Sequence, residues 1–117
     1  ILVDDVENSR IALRSDLEDY CPEIEIVGEA SGVVEGVKLV HRAKPDLVFL
    51  DIEMGDGNGF DLLEMFDSIP FQTIFITGMD NYAIKAFKYS AVDYLLKPVG
   101  KHSLHTTLQK FLASPAR

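Results

Sequence analysis

Residues 44–60 read KPDLVFLDIEMGDGNGF, and this stretch decides the fold. Lys44-Pro45-Asp46 breaks the preceding helix, because proline lacks a backbone donor and pushes its neighbour out of helical geometry. Leu47-Val48-Phe49-Leu50 is then a short apolar run with no polar alternation. A strand of that kind is buried on both faces, which requires a parallel sheet covered by helices. The run stops at an acid, Asp51. A glycine-rich loop from Gly55 to Gly59 leads into an apolar helix through Phe60, Leu62, Leu63 and Phe66.

The same unit recurs on both sides. Ile1-Leu2-Val3 is a buried run ending at Asp4-Asp5, and residues 7–20 carry Ile11, Leu13, Leu17 and Tyr20 near helical spacing. Pro22 breaks that helix, Ile24-Glu25-Ile26-Val27 reads as a strand, and Ser31 is placed to N-cap a helix bearing Val33, Val34, Val37 and Val40. Downstream, Thr73-Ile74-Phe75-Ile76 closes at Thr77, and a helix from Tyr82 to Tyr89 offers Ala83, Ala86 and Phe87 as its inner face. Tyr94-Leu95-Leu96 closes at Lys97-Pro98, and His102 to Ala113 turns Leu104, Leu108, Phe111 and Leu112 inward. Five strands alternating with five helices predict a flavodoxin-like, doubly wound α/β fold.

Composition narrows the function classes. The 117 residues are 47% hydrophobic and 26% charged, the profile of one globular domain. Nineteen acids against eleven bases give a net charge of −8, which argues against binding nucleic acid or an anionic membrane through the general surface. No apolar run approaches the roughly 20 residues of a membrane span. The single cysteine, Cys21, allows no internal disulfide and fits a reducing cytoplasm. The chain opens at Ile1, straight into a strand, and is expected to be one domain trimmed at its N-terminus, with a C-terminal module absent.

The polar residues fall where such a sheet binds ligands. Asp4 and Asp5, Asp51, Thr77 and Lys97 each end a predicted strand, and the carboxyl ends of parallel strands form the crevice at the topological switch point. Two like charges about 4 Å apart repel by about 4 kcal/mol at an effective dielectric of about 20. Three gathered carboxylates therefore call for a hard cation. All-oxygen ligation suits Mg²⁺, and there is no Cys/His cluster to favour zinc. Singly, each residue is explained as a turn former, a solvated tip or a strand filler. His102 and His105, one helical turn apart without a third ligand, read as surface residues.

Four motifs in order carry a family resemblance: Val3-Asp4-Asp5, Leu50-Asp51-Ile52-Glu53-Met54, Ile76-Thr77-Gly78 and Leu96-Lys97-Pro98. Together they resemble the receiver domain of two-component response regulators, over essentially the whole of residues 1–117. The stretch Tyr82 to Pro98 is similar to receivers of the LytR/AlgR class, whose C-terminal module is a LytTR-type DNA-binding domain. The resemblance implies a CheY-like five-stranded parallel sheet in the order 2-1-3-4-5 with five helices. It implies that Asp51 is the phosphoacceptor. Mg²⁺ would be held by the carboxylates of Asp5 and Asp51, by the backbone carbonyl of Glu53, and by Asp4 mainly through water. Lys97 would pair with the carboxylate and then with the phosphoryl group. Thr77 would bond a phosphoryl oxygen, Tyr94 would be the switch aromatic, and Lys97–Pro98 would be cis.

The implied partners are a histidine kinase as phosphodonor and, through the face of the fourth helix, fifth strand and fifth helix, a second copy. DNA contact would belong to the absent module, in a cytoplasmic regulator of transcription. The domain would be a signalling device rather than an enzyme.

Two departures stand out. Gly55 replaces the proline that receivers commonly carry there, which predicts a looser loop, and Gly78 stands where alanine is common. Two other readings remain open. One is a Mg²⁺-dependent phosphatase with an aspartate nucleophile, since Glu53 sits two residues after Asp51, though the Thr/Val-rich continuation and cap domain are missing. The other is a pseudo-receiver acting only as an interaction module.

Overall fold

In the computed structural model the described residues are 1–113; residues 114–117, inside the expected 1–117 domain, lie outside them. Leu47–Leu50 forms β3 and is paired on both sides: with β1 (Leu2–Val3) and with β6 (Gln72–Thr77). The edges are β2 (Glu29–Ala30), beside β1, and β7 (Asp93–Leu96), beside β6. All four pairings are parallel, in the order β2-β1-β3-β6-β7. This is the predicted 2-1-3-4-5 order once a separate two-strand hairpin, β4 (Glu53–Met54) and β5 (Gly57–Asn58), is left out of the count.

Side chains alternate across a strand, so β3 feeds two cores at once. Val48 and Leu50 join Val3 and Phe75 under α2 (Val33–Ala43), α3 (Gly59–Glu64) and α4 (Ala83–Lys88). Leu47 and Phe49 join Leu2, Ile74 and Ile76 under α1 (Glu7–Tyr20) and α5 (Lys101–Ala113). The buried run read as two-faced is two-faced, and the fold is doubly wound as expected.

Four readings of the sequence need correction. The strand expected at Ile24–Val27 lies outside the sheet, and β2 is displaced to Glu29–Ala30. Its partner β1 pairs through only two residues, with Leu2 N–H donating to the Gly28 carbonyl and Asp4 N–H to that of Ala30. Ile24 and Ile26 still lean on the second core while Glu25 and Val27 face water, so the alternation survives without the strand.

Second, Ser31 does not cap α2. The N-cap is Gly32, and the side-chain cap comes from Asp56: the N–H groups of Val33 and Val34 donate to its two carboxylate oxygens at 2.8 and 3.1 Å. Ser31 donates instead to Glu35.

Third, the glycine loop is the β4–β5 hairpin, which turns at Gly55-Asp56. Gly57 sits at φ +146°, where a side chain is strained. Asn58 caps α3 reciprocally with Asp61, an acceptance and a donation each at 2.9 Å.

Fourth, Phe87 and Leu112, expected to face inward, are exposed, as are Ile11, Tyr20 and Val34 among the apolar residues at helical spacing. Ile11 is two residues, about 200°, from the buried face set by Leu13 and Leu17. Phe87 stands next to fully buried Ala86 and so points away from it. On α5 the row Leu104, Leu108, Leu112 drifts by about 40° at each step of four, and its last member leaves the core.

Candidate functional site

Each polar strand end is delivered to the same edge of the sheet. Lys97, just past β7, is the hub. Its ammonium donates to Asp4 Oδ2 at 2.7 Å, to Asp51 Oδ2 at 2.8 Å and to Ser9 Oγ at 3.2 Å. The second oxygen of each acid is held by backbone, Asp4 Oδ1 by Val6 N–H and Asp51 Oδ1 by Ile52 N–H. Asp4 and Asp51 are both buried, while Asp5 is exposed. Asp4, Asp5 and Asp51 each place a carboxylate oxygen within 4.8 Å of the others. The Lys97–Pro98 bond is cis, as expected.

One cation is thus shared by two buried anions. Burial pushes the Asp4 carboxyl up, and the Asp51 charge adds to this, against hydrogen bonds from Lys97 and Val6. Burial also works against the Lys97 ammonium, but its bonds to Asp4 and Asp51 outweigh that and hold it above its ordinary value. Lys97 does not neutralise the set: three carboxylates face one ammonium. The donors are all oxygen, which fits a hard dication such as Mg²⁺ and fits zinc poorly.

A cleft of about 420 Å³ opens beside this cluster, lined by Asp5, Asp51, Glu53, Thr77, Gly78 and Met79 among others. Thr77 is fully buried, and its Oγ1 accepts from Met79 N–H at 3.2 Å. Tyr94 does not line the cleft. Its hydroxyl donates to the Met79 carbonyl, and its ring packs 6.0 Å from that of Phe75. The two expected switch residues therefore hang on opposite ends of one residue's backbone.

Glycine sets the shape behind the cluster. Gly59 N–H donates to the Ile52 carbonyl at 2.8 Å, and a Cβ on Gly59 would run into the Asp51 carbonyl oxygen. Gly55 and Gly78 face open space.

Three contributors escaped the sequence reading. Ser9 gives Lys97 its third acceptor. Arg10 donates to the Asp4 carbonyl at 2.6 Å and to Glu29 at 3.3 Å, tying the acidic turn to the edge strand, and Arg14 reinforces Glu29. Asp56 anchors the hairpin on α2. The only signal for Arg10 was a basic residue less than two turns past the acid pair. Nothing local connects Asp56 with Val33. His102 and His105 are exposed on α5, as expected of surface residues.

Known proteins share this arrangement. The family profile of the response regulator receiver domain matches residues 1–109. An uncharacterized response regulatory protein of Vibrio cholerae is 42% identical over 114 residues, covering 96% of this chain and 47% of the relative. The transcriptional regulatory protein BtsR of Escherichia coli is 44% identical over 112 residues, covering 94% and 46%. The chain spans about half the length of the curated relatives it matches.

Among solved structures, the response regulatory domain of mrkE from Klebsiella pneumoniae superposes with a TM-score of 0.84 at 28% identity, covering 95% of this chain and 92% of that one. The response regulator domain of CheB from Thermotoga maritima gives 0.82 at 26%, covering 97% and 96%. With the fold, the strand-end acids and the family profile in agreement, the chain belongs to the response regulator receiver domains, the signalling domains of two-component systems.

Proposed function

We propose that Asp51 accepts a phosphoryl group from a phosphohistidine on a partner kinase and that the domain passes the event on as a change of surface. The observation that carries this reading is the ammonium of Lys97 held between Asp4 and Asp51 at 2.7 and 2.8 Å, with Asp5 completing an acidic triad. In the transfer the P–N bond of the donor breaks, a P–O bond forms on the Asp51 carboxylate, and the freed imidazole takes a proton from water. Such a transfer needs positioning and charge neutralisation more than covalent assistance.

The carboxylates of Asp5 and Asp51, the backbone carbonyl of Glu53 and, mainly through water, Asp4 would hold Mg²⁺, which when bound would supply part of that neutralisation. Lys97 supplies the rest, moving its contact from the carboxylate to the phosphoryl oxygens. Asp51 keeps its orientation through Ile52 N–H. Thr77 exchanges its bond from Met79 N–H for a donation to a phosphoryl oxygen. Because Met79 also holds the Tyr94 hydroxyl, the exchange bears on both switch residues. Ligand-biased exchange between two pre-existing states is enough to transmit the signal.

The readout surface in this reading is α4, β7 and α5, which leaves Ile84, Phe87 and Leu96 exposed for a partner or a second copy. In the parent protein the output is a LytTR-type DNA-binding module and the setting is cytoplasmic. The relatives named as transcriptional regulators, about twice this length, support a transcriptional output.

The test is to incubate the chain with acetyl phosphate and Mg²⁺ and weigh it intact. The expected result is a single phosphoryl adduct on the wild type and none on Asp51→Asn. No adduct on the wild type, or an equal one on the variant, overturns the reading.

A further inference from the structure

The hairpin after Asp51 carries Glu53; Met54 roots its base in the core, and its turn is tied to α2 by a side chain. Asp56, in its turn, reaches across to α2 and takes the N–H groups of Val33 and Val34 on its two oxygens at 2.8 and 3.1 Å. These residues are 22 and 23 apart in sequence, so the bond joins two elements instead of finishing one. The ground beneath it is shaped for the tie. Gly32, the N-cap, is where a Cβ would stand 2.7 Å from Asp56 Oδ1. Ser31, the nearer capping candidate, bonds Glu35 and leaves the helix end to Asp56. The two donors hold the Asp56 carboxyl below the ordinary carboxylate range, so it is ionised at neutral pH.

Position 55, next door, holds glycine, the least restrained residue. A turn built on glycine needs a restraint from outside if the Glu53 carbonyl is to keep its place. We propose that Asp56 is a positioning residue for the site, holding the Glu53 hairpin against α2 and so supplying a restraint that Gly55 does not; proline at position 55 would supply one locally. The inference rests on the reading of the Glu53 carbonyl as a Mg²⁺ ligand. It adds that α2, which carries none of the proposed ligands, helps set metal affinity. Gly55 itself admits proline: a Cβ there meets nothing within 4 Å, and its φ is not positive.

The experiment is a calorimetric Mg²⁺ titration of the wild type, Asp56→Ala, Gly55→Pro and the double variant, with thermal melts alongside. Asp56→Ala is expected to weaken Mg²⁺ binding about tenfold, the low end for outer partners of metal ligands. Gly55→Pro in that background is expected to bring the affinity back to within about twofold of the wild type. A mere helix cap behaves differently: Asp56→Ala melts earlier, binds Mg²⁺ as the wild type does, and gains nothing specific from proline. Unchanged affinity in Asp56→Ala, or failure of proline to rescue it, overturns the proposal. Absence of Mg²⁺ binding by the wild type overturns the underlying metal reading instead. If Asp56→Ala does not fold, Asp56→Asn keeps one acceptor oxygen on α2 and gives the same comparison with a smaller change.

Discussion

At the carboxyl edge of the sheet Asp4, Asp51 and Lys97 all have named partners. Lys97 reaches three acceptors, Asp4 and Asp51 each use both oxygens, and no buried side-chain polar atom among the described residues lacks a partner. On the face of α4, β7 and α5 the pattern is reversed. Ile84 is 79% exposed, Phe87 54% and Leu96 48%. Below them the packing is thinner, with Ala86 the one fully buried residue of α4. Buried charge is costly to leave unpaired, so the first region is held in one arrangement. Exposed apolar side chains cost little in place and are free to change partners. A signalling domain needs both: a site that holds its geometry before the phosphoryl group arrives, and a surface loose enough to respond.

The comparison breaks most sharply at Asp51. Asp51→Asn is expected to lose the phosphoryl adduct completely by intact mass while keeping the fold. Next comes Gly59→Ala, whose methyl collides with the Asp51 carbonyl. Backbone cannot give way as a flexible side chain can, so a loss of about 3 kcal/mol in urea unfolding is expected. A loss below about 1 kcal/mol would mean that the edge is softer than described.

Lys97→Ala should slow adduct formation about a hundredfold, about 2.7 kcal/mol in barrier, as for removal of one charge-stabilising donor. The same variant leaves two buried carboxylates facing each other. Mg²⁺ should therefore raise its melting temperature more than that of the wild type.

Between the two regions stands Asp93, on β7, bonded to Lys110, Tyr94 N–H and Thr107. Burial pushes its carboxyl up, but these bonds outweigh burial and lower it. A lowered carboxyl contributes stability above its unfolded value of 3.8, and that contribution fades as pH falls through the folded value. Asp93→Asn should thus cost about 0.5 kcal/mol at pH 7, a figure reduced for solvent screening, and progressively less as the pH falls below 3.8. Acid denaturation of the two proteins should show the difference closing below pH 3.8.

The smallest expected effect on stability is at the exposed face. Phe87→Ser should change it by less than about 0.5 kcal/mol, yet weaken self-association of the phosphorylated chain in sedimentation. A large loss of stability there would erase the contrast.

Much of the molecule was legible before its structure. The apolar run Leu47 to Leu50 announced a two-faced strand, and Asp4, Asp5, Asp51, Thr77 and Lys97 could be assigned to one edge because strand ends in a parallel sheet share it. The residues that tune the edge were not legible. Arg10 on the Asp4 carbonyl and Ser9 on Lys97 are helix residues whose polar side chains read as ordinary surface. The inner faces of short helices were also misjudged: in α4, Phe87 and Ala86 compete for one place, and hydrophobicity alone favours the wrong one.

The sequence by itself determined the alternation of strands and helices, the two-sided burial of the sheet and the chemistry gathered at its carboxyl edge. These depend on local periodicity and on where each apolar run stops. Only the tertiary structure decided that Ile24 to Val27 stays outside the sheet, that Asp56 caps a helix more than 20 residues away, and that Met79 joins Thr77 to Tyr94. The physical reason is common to all three. A strand needs a partner ladder and a helix end needs any donor or acceptor within reach, and which group comes within reach is settled by packing between segments distant in sequence.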